Sequence, residues 1–150
     1  MKKLLTAALL AIALPFSVPA SAQSQDSVYT PGAYWNVQGI HVEDGQFEAY
    51  MDYLADAYDR SQQFARRQGW ISGYDILLNV NARDGEPDIY LVVQMPRLAT
   101  AQEEVERDRR MNEHMQRTTR QASEQSGQRV VMRRLGSNML LQELNLRNRR

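Results

Sequence analysis

Cysteine is absent from all 150 residues. That excludes a disulfide framework, a thiolate metal site, a cysteine nucleophile and a lipidated-cysteine anchor. Lysine occurs only at Lys2 and Lys3, so Schiff-base and P-loop lysine chemistry have no residue to use beyond the first turn of chain. Histidine is limited to His41 and His114. The chain also lacks a G-x-S-x-G elbow, a Gly-rich phosphate loop and any zinc-ligand spacing, and no metal or cofactor is expected. The longest apolar run, Leu4 to Leu14, is too short to span a bilayer.

What is present begins with a compartment. Lys2 and Lys3, that apolar run and the small residues Ala20-Ser21-Ala22 form the three-part pattern of a signal peptide over residues 1–22, with cleavage expected after Ala22. The exported product is expected in the periplasm or outside the cell, with no membrane anchor left. Removing the two lysines from the 18 basic residues leaves 16, all arginine, against 18 acidic ones. A net charge of about −2 gives no general attraction to nucleic acid. The 128 residues that follow from 150 less 22 are enough for one domain. Residues 23–33 are polar and carry Pro31-Gly32, which predicts a flexible lead-in. Residues 147–150 make an Arg-rich tail.

One stretch organises the rest. Phe47, Tyr50, Met51, Leu54, Ala57, Tyr58, Ser61, Phe64 and Ala65 recur at three- and four-residue steps, the stripe of an amphipathic helix. Asp44 is the expected N-cap, Asp56 and Arg60 the expected i,i+4 pair, and Gly69 the expected left-handed residue past the end. Trp70 to Val80 then places Tyr74, Ile76, Leu78 and Val80 on one parity, which is strand spacing. Tyr34 to Val42 precedes the helix as a strand interrupted by Gly39. Beyond Asp84-Gly85 and Pro87, a turn of hairpin type, Asp88 to Met95 returns with Ile89, Leu91, Val93 and Met95 on one parity. A second helix is expected from about Ala99 to Ser123, with Glu103–Arg107 and Glu106–Arg110 pairs outside and a thin apolar stripe inside. Gln128 to Leu135 and Met139 to Leu146 follow as strand segments, which the sequence leaves open as a hairpin or one bulged strand.

The order β-α-β-β-α-β predicts an α+β, ferredoxin-like domain over residues 34–146 with a possible extra C-terminal strand. Its helices cover one face of an antiparallel sheet and leave the other open. With its Trp35 strand, Tyr-rich helix and Gly69-Trp70-Ile71 strand entry, the chain from Trp35 to Leu146 resembles the dimeric α/β-barrel superfamily, which includes the antibiotic-biosynthesis monooxygenases and the NIPSNAP-like proteins. The resemblance implies a sheet that pairs with a second copy and carries no functional residue across. An open face bearing Leu77 and Val92 points the same way, to a homodimer.

Candidate chemistry follows from that face. A bulge at Gly39 would turn Trp35, Val37, Ile40 and Val42 toward the helices and Asn36, Gln38 and His41 toward the open side. There His41 is the candidate base, with Asn36 and Asp75 (or Asp88) to orient it or to polarise a substrate. Gln38, Asn79, Tyr90 and Gln94 are candidate ligand-binding residues on the same side. Solvated or dimer-contact positions would show the same pattern. In Met111-Asn112-Glu113-His114-Met115, thioether and imidazole at helical spacing suit copper(I), although Met111 and Met115 also serve the apolar stripe. Three functions stay open: an exported dimer binding a small apolar or amphipathic ligand or a partner chain; a cofactor-independent oxygenase or isomerase using His41, Asn36 and Asp75; and copper or haem binding through His114 or His41.

Overall fold

A computed structural model describes residues 27–147; the expected signal peptide, Gln23 and the last three arginine-tail residues lie outside them. The fold is α+β and ferredoxin-like. Strand β1 (Tyr29–Val42) leads into helix α1 (Phe47–Tyr53), a π-helical turn (Leu54–Tyr58) and helix α2 (Asp59–Arg67). Strands β2 (Gly73–Leu78) and β3 (Ile89–Met95) follow, then helices α3 (Ala101–His114) and α4 (Thr119–Gln128), a 3-10 turn (Arg129–Val131) and strand β4 (Arg133–Leu146). The sheet is antiparallel in the order β2-β3-β1-β4.

The organising helix forms for the reasons its sequence gives, with two corrections at its start. The N-cap is Gln46, without a side-chain hydrogen bond. Asp44 instead sits in the turn before it, where Gly45 takes φ +73°. Phe47, read as a stripe residue, is 40 % exposed. Asp56 and Arg60 do pair, at 3.2 Å, and Gly69 closes the helix at φ +69°. Tyr50, Leu54 and Tyr58 pack against Ile40, Ile89 and Leu91 to form the core, and Met132 and Tyr74 border it. At the π turn the ladder widens to an i→i+5 bond, a feature often found at functional sites. The Ser61 hydroxyl donates to the Tyr58 carbonyl at 2.6 Å, satisfying an acceptor beside the disturbed turn.

The second half departs further from expectation. The single helix expected over 99–123 is two helices, because the chain turns at Met115–Thr118 with Gln116 at φ 51°. Thr100 and Thr118 each close a capping box, with Glu103 and Gln121 respectively. Those boxes fix where α3 and α4 start. The expected Glu103–Arg107 and Glu106–Arg110 pairs give way to Arg97–Glu103 (2.5 Å) and Glu106–Arg109 (2.6 Å). Gln128 to Val131 is helical rather than strand. Residues 133–146 then form one long bulged strand, so no extra strand is added. Tyr29 to Pro31, expected in a flexible lead-in, pair with Leu144 to Leu146.

Candidate functional site

Cross-strand partners share a sheet face, so the register decides which side chains meet. β1 and β3 pair without interruption from Tyr34↔Met95 to Ile40↔Ile89. Asn36 and Gln38 therefore share parity with Ile40 and lie on the helix side, opposite Val93 and Leu91. Trp35, Val37 and His41 take the open side. The bulge expected at Gly39 sits in the neighbouring strand instead, where the register slips between Gln38↔Asn138 and Ile40↔Leu135. Gly39 is needed for a different reason: a Cβ there would lie 2.6 Å from Pro87 Cγ, so its lack of a side chain permits a close approach.

The constellation read from the sequence is thus divided between two faces. His41 pairs with Arg134 across the β1–β4 edge and packs over Gly136, whose Cβ would lie 3.0 Å from the imidazole Nε2. Asp75 pairs with Val92, which pairs with Val37. That places it two strands and four residues from His41, roughly 16 Å from strand spacings and far beyond hydrogen-bond reach. Asp88 accepts from the Val42 backbone N–H at 2.8 Å. Gln38 donates its amide to the Gly39 and Ser137 carbonyls at 2.8 and 3.1 Å, which pins the β4 bulge. Asn36 donates to Asn138 at 2.8 Å. Asn79 serves the β2–β3 turn by donating to the Pro87 carbonyl at 3.1 Å, and Gln94 accepts from the Ser72 hydroxyl at 3.1 Å. Tyr90 stays on the open face between Gly39 and Leu77. His114 lies flat on Phe64, with ring centroids 4.2 Å apart. Among the described residues no group of three or more His, Asp or Glu side chains converges as a metal site.

A different region has the shape of a site. Where the π turn and α2 face α4 and the 3-10 turn, a cleft of about 360 Å³ opens beside the core. Tyr53, Ala57 and Ser61 line one wall, and Met115, Ala122 and Met132 supply apolar surface on the other. Arg60, Arg117 and Arg129 reach its border, and its lining holds no histidine and no carboxylate. The Arg129 guanidinium lies 4.6 Å from the Tyr53 ring centre, within cation–π range. In the core, the Tyr50 and Tyr58 hydroxyls are buried without a hydrogen-bond partner among the described residues, as is Arg129 Nε. Burial pushes the Tyr50 phenol up to about 12 and the Tyr58 phenol higher still. None of these cleft residues was marked as a site from the sequence. Arg129 and Met132 fall where a strand was expected, and no sequence periodicity announces a π turn.

Comparison with protein-family models, with curated proteins and with solved structures finds no match.

Proposed function

We propose that this chain is an exported binding protein that takes a small amphipathic molecule in the cleft between the π turn and α4, and that it works as a homodimer of the dimeric α/β-barrel type. The observation that carries the reading is the cleft itself. It combines apolar surface from Ala57, Met115, Ala122 and Met132 with the polar groups of Arg60, Ser61, Arg117, Gln125, Gln128 and Arg129, at a volume within the range of small-molecule sites. Ser61 is the hydroxyl in its wall, tied to the Tyr58 carbonyl, and the lining holds no histidine or carboxylate to activate it, which favours binding over turnover. The export half of the proposal rests on the pattern of residues 1–22, and N-terminal sequencing of protein from its own cells should begin at Gln23; a retained Met1 would exclude it.

The homodimer is supported by the open face. Trp35, Val37 and Leu141 form an apolar band there over the buried Val92, with Trp35 and Val37 half-buried and Leu77 at 51 % and Leu141 at 49 % exposure. A contiguous apolar surface of this kind marks an association site, and a symmetric pairing of like faces is the commonest way to cover one.

The cleft is tested with a neutral fluorescent probe, N-phenyl-1-naphthylamine. We expect saturable binding at one probe per protomer, abolished by Ala122→Trp, which fills the cleft from a half-buried position on α4. A variant that folds, by circular dichroism, and still binds the probe as the parent does would overturn the assignment.

A further inference from the structure

The charges around the cleft specify its ligand further. We propose that it is built for an organic anion, a carboxylate carried on an apolar body; this rests on the cleft being the ligand site.

The first reason is an imbalance of charge. Three arginines from three separate segments, α2, the α3–α4 turn and the 3-10 turn, border a cavity with no acidic residue in its lining. Arg60 has a counterion in Asp56 at 3.2 Å, but the other two are held by neutral groups. Arg117 donates to Asn112 Oδ1 at 3.3 Å and to Gln125 Oε1 at 3.2 Å. Arg129 donates to the Gln125 carbonyl at 3.0 Å. Amide oxygens orient a guanidinium without cancelling its charge, so Arg117 and Arg129 are positioned and, among the described residues, without a counterion.

The second reason is an unmade hydrogen bond. Arg129 Nε is buried and has no partner, and a buried donor left unpaired is costly while a charged one is costlier. A carboxylate supplies the missing charge, and its two oxygens match the planar N–H fork of a guanidinium; reaching the buried Nε takes a shift of the Arg129 side chain. The third reason is the rest of the wall. Met115, Met132, Ala57 and Ala122 offer adaptable apolar surface that suits a hydrocarbon or aromatic body, while Ser61, Gln125 and Gln128 keep polar groups in the same lining.

The test compares 4-butylbenzoate with its neutral amide by titration calorimetry on the exported chain. We expect the acid to bind at one per protomer and about tenfold or more tighter than the amide, a difference of about 1.4 kcal/mol. Arg129→Gln should erase that preference while leaving amide binding in place, and Arg117→Gln, on a separate segment, should reduce it if the first variant does not fold. Arg83→Gln, which touches only Glu86 in the β2–β3 turn, should change nothing. Equal binding of acid and amide, unaltered in preference by either cleft variant, would overturn the anion assignment and leave the cleft as a site. Failure of both compounds to bind would remove the two together.

Discussion

Leu54 and Tyr50 sit one turn apart, both with no exposed surface, yet they carry opposite expectations. Leu54 fills space against Ile40 and Ile89, and Leu54→Ala removes apolar atoms from a site that cannot collapse freely. Chemical denaturation should register a loss of about 2–5 kcal/mol; a loss under about 1 kcal/mol would mean that the residue is not the centre of the core. Tyr50 packs its ring in the same cluster but has a hydroxyl with no partner. Tyr50→Phe keeps the ring and deletes the unsatisfied group, so stability should hold within about 0.5 kcal/mol or rise. The same residue sets an alkaline limit. Its phenol is held at about 12 in the fold, chiefly by burial, against an ordinary value of 10.0. Below pH 10 the phenol is neutral in both states and its contribution is intact. As pH rises from 10 toward 12 the unfolded chain ionises first, and stability falls. Denaturation midpoints should decline across that window, less steeply in Tyr50→Phe; a flat profile would contradict the burial.

At the scale of elements, the start of α3 depends on three side chains acting as one. Thr100 accepts from the Glu103 backbone N–H at 3.3 Å, Glu103 accepts from the Thr100 N–H at 2.8 Å, and Arg97 donates to Glu103 at 2.5 Å. The Arg97 bond and the Thr100 N–H hold the Glu103 carboxyl down at about 2. A depressed carboxyl stabilises above its unfolded value and loses that effect as pH falls toward its folded one. Thr100→Ala should cost about 0.5–2 kcal/mol, because it removes the acceptor of the Glu103 N–H; no measurable loss would contradict the cap. Glu103→Gln should flatten the fall in stability that the parent shows as pH drops toward 2.

The same scale shows why some of the architecture could be read from the sequence and some could not. The α1–α2 stripe, the Gly69 stop and the β2–β3 hairpin were legible because each is a local pattern written at a fixed period. The face of His41 was not, because a glycine in a strand signals either a bulge or a close contact, and only the Pro87 ring packed on Gly39 tells which. The bulge that does exist, at Gly136–Ser137, lay in a segment whose pairing the sequence left open. The helix break at Gln116 was hidden because no glycine or proline marks it. Arg129 was missed with it: residues with strand propensity, Val130 and Val131, were drawn into a helical turn by the capped α4 before them. The cleft therefore arises from tertiary placement, and none of its arginines stands out by spacing.

For the whole molecule, a single copy leaves much apolar surface in water. Leu140, Leu144 and Leu146 on β4 are each 54–78 % exposed, in addition to the band on the open face that includes Leu141. The proposed homodimer would cover that face, and sedimentation equilibrium at micromolar concentration should then return twice the protomer mass. Leu141→Asp, a charge placed on the open face, should shift the mass toward one copy while the far-ultraviolet spectrum is kept. A monomeric parent would rule out the pairing.

Chemical-shift mapping with 4-butylbenzoate decides whether the ligand sits between the helices, as proposed, or on the sheet. Saturable shifts should concentrate on the backbone amides of Ala57, Ser61, Ala122, Arg129 and Met132, and leave Trp35, Val37, Val92 and Leu141 unmoved. Shifts that instead centre on those four open-face residues would contradict the proposed site.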